Sequence, residues 1–393
     1  MRSLQLIFWG VICGLGVVPH FAEACNIPVF RYALERWEPD NVQVIVFHDG
    51  LSDDEVALIQ AVKKESRSLL ANVIVVSQPI DVEMGPELAP LWEQLKTEQH
   101  PDPPVVVVRT RVGRGNYVNI WTGRLADLND IGLLDSPARK DVASRLLSGD
   151  AGVWLVLKSA DQEKSAEVVE LLQTSLPKIA EQIPIPEGIG LPGSELYSAI
   201  PLDMRFSVLE IAADDPQETF LINWLKTLRP EEYAAGDPLV VPVFGRGRAL
   251  EVIPGSLISE GLLKDLSAFL CGACSCQVKE MNPGFDLLLS ADWMNELFGE
   301  EPPDIPDTEP GQLVGGEKPQ MVVIPSGGVR AEKVEDVDDG IETVIPETAE
   351  EPTTEHDPQL SDSGSAGWWL VCFVGLVVIV TGLAGIRLQE ASA

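Results

Sequence analysis

The chain has 393 residues, 61 acidic and 28 basic, for a formal net charge of −33. Hydrophobic residues make up 45% of it, enough for a real core, so wholesale disorder is excluded. The length allows two domains plus accessory segments, and the negative balance would repel phosphate, so no nucleic acid partner is expected.

Residues 1–24 read as a signal peptide. Arg2 precedes an apolar run over residues 4–18, and Ala22-Glu23-Ala24 supplies a small-residue exit. Cleavage there makes Cys25 the mature N-terminus. A lipid on Cys25 is conceivable, although Ala22 and Glu23 fit a Leu-rich lipobox poorly.

Residues 25–150 read as a short N-terminal segment and a first α/β unit. A β-branched run at 42–47 predicts a strand. Ser52-Asp53-Asp54-Glu55 has capping-box spacing, and Val56, Ile59 and Val62 follow at helical spacing. A second strand is expected at 73–76 and a second helix at 87–96. Strands at 105–108 and 118–121 are joined across Gly113-Arg114-Gly115, with helix from about 125 to 147.

Residues 151–299 repeat that order. Strand 153–157 leads to a helix with Val168, Leu171, Leu172, Leu176 and Ile179 on one face. A long loop, strand 206–211, helix 218–228, strands 239–244 and 249–253, and helix 259–270 complete the second unit. The closest internal match is at the hairpins. Gly113-Arg114-Gly115, followed by Gly123 and Leu125, recurs as Gly245-Arg246-Gly247, followed by Gly255 and Leu257. Pro104 precedes the first strand pair and Pro238 the second.

A β-α-β-α-β-β-α unit with Pro before its hairpin resembles the thioredoxin fold. The resemblance implies two tandem thioredoxin-like units in an α/β fold, with Pro104 and Pro238 matching that family's cis-proline. Such oxidoreductases carry Cys-x-x-Cys after the first strand, where the helix dipole lowers the thiol pKa. Here that position reads His48-Asp49-Gly50-Leu51-Ser52 in one unit and Lys158-Ser159-Ala160-Asp161 in the other. Neither contains a cysteine, so the usual dithiol chemistry is not expected.

Outside the leader and the C-terminal apolar run, the cysteines are Cys25, Cys271, Cys274 and Cys276. Three readings stay open for them. Structural disulfides suit an exported chain, and a bond from Cys25 to the cluster would staple residues 26–37 to the second unit, worth about 5 kcal/mol by loop entropy. Redox chemistry at Cys271 and Cys274 has the right spacing but sits at a helix C-terminus, where the dipole disfavours a thiolate. A four-thiolate Zn site has the right count, although Cys-x-Cys is tight for tetrahedral geometry.

His48 with Asp49 is an acid–base candidate with a structural alternative, since a loop histidine beside a cap is common. Arg109, Arg111, Arg114, Arg246 and Arg248 crowd the hairpins of an otherwise acidic chain. Arg114, Arg246 and Arg248 make a weak anion-site candidate, void if they pair with nearby acids.

Residues 300–367 hold 18 acids and 3 bases and read as a disordered acidic stalk with two apolar islands, at 321–325 and 344–346. Residues 368–386 carry no charge, open on Trp368 and Trp369, end at Ile386 and precede Arg387. Their length, about 28 Å as helix, suits one transmembrane span. Residues 387–393 would then be a short cytoplasmic tail.

The stretches 25–37, 244–250 and 269–279, containing Cys25, Phe244-Gly245-Arg246-Gly247-Arg248 and the Cys271-Gly272-Ala273-Cys274-Ser275-Cys276 cluster, are similar to a family of exported planctomycete-type bacterial proteins. That resemblance implies an extracytoplasmic bacterial home and supplies no catalytic residue. The expectation is a single-pass type I protein of the inner membrane, its ectodomain in the periplasm or outside. It would be an interaction or scaffold protein whose partners are the bilayer and another envelope protein. No cofactor is expected unless Zn sits at the cysteines, and the alternative is a thiol–disulfide or metal-handling protein.

Overall fold

The computed structural model describes residues 26–99, 102–113, 115–273, 279 and 284–305. The expected leader, the stalk beyond residue 305, the apolar run and its tail lie outside them, as do Cys25, Cys274, Cys276 and Arg114. Among the described residues no helix is long and apolar enough to cross a membrane.

Helix α1 (Val29–Arg36) comes first, followed by β1 (Val42–His48), α2 (Asp53–Ser68), β2 (Val73–Pro79), α3 (Ala89–Gln99), β3 (Val105–Val112) and β4 (Asn116–Arg124). The sheet order is β2-β1-β3-β4, with β1 parallel to β2 and antiparallel to β3. Alternating side chains of the sheet face opposite layers. Val42, Val44, Val46, Val106 and Val108 meet Ile59 and Val62 of α2, whereas Ile45, Phe47, Val105 and Val107 meet Leu91, Trp92 and Leu95 of α3. The single helix expected over 125–147 is broken into a 3-10 turn (Leu125–Asn129) and α4 (Pro137–Leu147). Gly132 at φ 67° and Pro137 at the helix start impose the break.

The second half contains β5 (Gly152–Leu157), α5 (Gln162–Gln182), β6 (Phe206–Ile211), α6 (Thr219–Leu228), α7 (Pro230–Ala234), β7 (Leu239–Phe244), β8 (Arg248–Ala249), β9 (Ile253–Pro254), α8 (Glu260–Cys271), β10 (Phe285–Asp286) and α9 (Trp293–Phe298). Its sheet runs β10-β8-β7-β5-β6, with β9 also on β7. Here β5 is parallel to β6 and antiparallel to β7, so the element order of the first half recurs. The molecule is mixed α/β with two mixed sheets.

The second hairpin departs from expectation. Instead of one continuous return strand, β8 and β9 are two-residue pieces. Two neighbours wedge against the turn. A Cβ on Gly245 would lie 2.7 Å from the Ala33 Cβ, and one on Gly247 would lie 2.6 Å from Leu289 Cδ1. Gly113, at the matching position of the first hairpin, has open space around it.

The largest core cluster belongs to both halves. Val44, Val106 and Ile120 of the first sheet share it with Leu155, Val241, Phe220 and Trp224 of the second half. A polar seam reinforces it: the buried Glu218 carboxylate accepts from Ser136 Oγ and Ala138 N, each at 2.6 Å, at the start of α4. Beside it the buried Arg139 donates to Ser136 Oγ and to the carbonyls of Leu133, Leu288 and Gly132. Burial pulls its pKa down to about 10 despite Glu218 and Asp135.

A separate cluster joins α1 to the second half, through Ile27, Phe30, Tyr32 and Trp37 packed on α5, α8 and the outer face of β5 and β7. Residues 26–37 are thus attached to the second unit by apolar contact, by the Pro28–Ala273 bridge and by Val29 N donating to Gly272 O at 3.1 Å.

Candidate functional site

Each half places a strand end, a helix N-terminus and a proline together. In the first, β1 ends at His48, and Phe47 pairs with Val105, the residue after the cis Pro103–Pro104 bond. Ser52 caps α2 by accepting from Glu55 N, while Glu55 Oε2 accepts from Ser52 N at 2.8 Å and Oγ at 2.9 Å. Those bonds, the backbone one first, hold the Glu55 carboxyl below its usual range. His48 is buried and its Nε2 lies 3.0 Å from Ser77 Oγ. Its Nδ1 has no hydrogen-bond partner among the described residues. Asp49, Ser52 and Ser77 are exposed, so this end of the sheet is open to solvent around one buried imidazole.

The second half fills the same place. Leu157 pairs with Leu239, so β5 ends beside Pro238, but the Asp237–Pro238 bond is trans, correcting the expectation of a cis-proline there. Its packing fits a proline closed in by its neighbours: Gly255 N donates to Pro238 O, and a Cβ on Gly255 would lie 2.6 Å from Pro238 Cγ. Ser159 is buried, its Oγ donates to Gly236 O at 2.6 Å, and its N donates to Ser165 Oγ. Tyr233 of α7 donates to Lys158 O at 2.9 Å, and Lys158 pairs with Glu210. Asp161 caps α5.

Cys271 ends α8, buried in the cluster that holds α1. Burial pushes its thiol up to about 12, so it is a protonated core side chain at neutral pH. The Pro28–Ala273 bridge brings the chain three residues after Cys25 alongside the residue before Cys274. Among the described residues no group of three or more His, Cys, Asp or Glu converges as a metal site. A mostly apolar groove of about 350 Å³ runs beside Cys271 between the ends of α5 and α8, lined by Ile179, Ile183, Pro184, Ala268 and Lys264.

At Arg246 and Arg248 the anion-site expectation is overturned, while Arg114 lies outside the described residues. Arg246 is buried and donates to the Leu34 and Glu35 carbonyls at the end of α1 and to Glu38 Oε1 at 2.7 Å. It neutralises a helix C-terminus, and burial lowers its pKa. Arg248 faces Asp286 and Asp40. Arg109, also in the first hairpin, donates to Gln43 Oε1 and lies over the Tyr117 ring. Each has its charge or its donors occupied within the fold.

Sequence reasoning passed over the buried ions. Arg31 and Glu35 pair at 2.8 Å on α1, and Glu35 also accepts from Tyr197 N and Ser198 N. The i, i+4 spacing within an apolar segment was the available signal, as was Glu218 directly before the apolar run of α6. No family model matches the chain, and no curated protein matches it in sequence.

Proposed function

We propose that this is a membrane-anchored extracytoplasmic interaction or scaffold protein, built from two thioredoxin-like units that lack the usual active-site dithiol. The observation that carries the reading is what occupies the two strand ends. Where a reactive thiol would sit, the first half has His48 and the Ser52–Glu55 capping box, and the second has Ser159 bonded into Gly236 and Ser165. The one cysteine among the described residues, Cys271, is buried with its thiol held protonated. Anchorage rests on the uncharged run at 368–386, and export on the leader and the resemblance to exported planctomycete-type proteins.

The test is turnover. The purified chain is expected to show none in insulin reduction or thiol exchange, and sustained turnover lost in Cys271→Ser or Cys274→Ser ends this reading. The thiol should also follow its pKa. A folded-state value raised above the unfolded one means the neutral form is favoured, so native Cys271 resists iodoacetamide at pH 8–9. Stability falls only as pH climbs from about 9 toward about 12.

A second reading, thiol–disulfide or Zn handling by Cys25, Cys271, Cys274 and Cys276, is favoured by one contact. The Pro28–Ala273 bridge draws the two cysteine-bearing stretches toward each other. Intact mass with and without reductant before alkylation, plus elemental analysis, separates the two. A labile disulfide or bound Zn favours the second reading, and permanent bonds without metal favour the first.

A further inference from the structure

Both sheets end in a parallel edge strand at equivalent places, β2 in the first and β6 in the second. Unpaired backbone groups on such an edge invite another strand, and folded proteins guard them with charge or cover. β6 is guarded. Arg145 donates to Val208 O at 3.0 Å, and Glu210 places a charge in the strand, paired to Lys158. β2 is not: Val73, Ile74, Val75, Val76, Ser77, Gln78 and Pro79 carry no charge. Among the described residues no side chain donates to a carbonyl of 73–78, and Ile74 is 45% exposed.

The chain itself offers an occupant. Before leaving the described fold it passes the start of β2: Ser290 bridges Ala71, Leu289 N donates to Asn72 Oδ1, and Asn72 Nδ2 donates to Leu287 O. The described residues end at Ile305. After fifteen intervening residues come Met321, Val322, Val323 and Ile324, the longest uninterrupted β-prone apolar stretch of the acidic segment, bounded by Pro319 and Pro325. Extended, those fifteen residues reach about 50 Å, ample to return to β2.

We propose that the open edge of β2 is an interaction surface whose occupant is the chain's own acidic segment, with residues 321–324 adding as a fifth strand. β2 is half-buried on both faces, with Val73 and Val75 toward the layer of α2 and Val76 toward that of α3. An added strand of alternating Val322, Ile324 and Met321, Val323 would widen both layers. The inference does not depend on the absence of thiol chemistry, and its test is separate from the turnover assay.

That test is hydrogen–deuterium exchange on the full chain in mild detergent, comparing wild type with V322D/I324D, whose changes lie outside the described residues. Amides of 73–79 should exchange about tenfold faster in the variant, while those of 206–211 stay as they were. Ile74→Lys should in turn speed exchange at 320–325. Equal exchange at 73–79 in both chains overturns the proposal. So does protection at 73–79 that weakens on tenfold dilution, because then a second copy covers the edge.

Discussion

The two halves repeat one element order and use it differently. The first leaves its strand end open, with His48 Nδ1 unpartnered among the described residues, and its edge strand β2 uncharged. The second closes its strand end with Ser159, Gly236 and Tyr233, has β6 guarded by Arg145 of the first half's α4, and takes α1 and residues 284–289 against its hairpin. A repeated topology therefore does not imply a repeated task. The second half is the hub on which the rest is assembled, and the first presents the accessible backbone of β2 and a solvent-open strand end around a buried imidazole.

The division is not one of independent domains, and separating the halves is the largest perturbation available. Because Val44, Val106 and Ile120 share a core with Leu155, Phe220 and Trp224, cutting between residues 150 and 151 exposes that face on both sides. Residues 25–150 alone are expected to lose the whole cooperative stability, about 5–15 kcal/mol for an ordinary domain. Far-UV circular dichroism during urea titration checks this. A cooperative transition in the isolated fragment would show that each half owns its core.

Within the joined molecule, Glu218 is a buried polar link between the halves. Glu218→Ala leaves Arg139 buried without the nearest carboxylate and strips the start of α4 of its acceptor. We expect a loss of about 3–5 kcal/mol in urea unfolding, and less for Glu218→Gln, which keeps an acceptor oxygen. A double-mutant cycle with Arg139→Met should return a coupling between the sites, and strict additivity would remove the link.

How much of this was legible beforehand follows from the range of each interaction. The Ser52–Glu55 cap, the strand at 206–211 and the end of α8 near Cys271 are written in neighbouring residues, and local spacing found them. The roles of Arg246 and Arg248 were misjudged. A cluster of cations in an acidic chain looks vacant until the fold brings Glu38, Asp40 and Asp286 to it from distant parts of the sequence. The break in the second hairpin was hidden for the same reason, since the two Gly-Arg-Gly motifs read alike but only one is pressed by Ala33 and Leu289.

Those two motifs give a matched pair of substitutions. Gly113 and Gly245 both sit at φ 60°, so alanine is strained at either. At Gly113 nothing else opposes it, and a loss of about 1 kcal/mol is expected. At Gly245 the new methyl meets Ala33, so the loss should rise to about 2–4 kcal/mol. Equal losses would mean that α1 does not press on the second hairpin in solution.

The smallest expected effects concern the strand ends themselves. Ser159→Ala removes a buried hydroxyl and its bond to the half-buried Gly236 O, costing about 1–2 kcal/mol. His48→Ala removes one bond to Ser77, whose exposed hydroxyl turns to solvent, and takes away the unpartnered Nδ1 at the same time. Its cost should stay below about 1 kcal/mol. Thermal or urea unfolding of both variants reads the difference directly. If His48→Ala proves as costly as Ser159→Ala, the imidazole is a structural plug like its counterpart. The open strand end of the first half then ceases to be a candidate for recognition, and the edge of β2 carries that role alone among the features argued from the described residues.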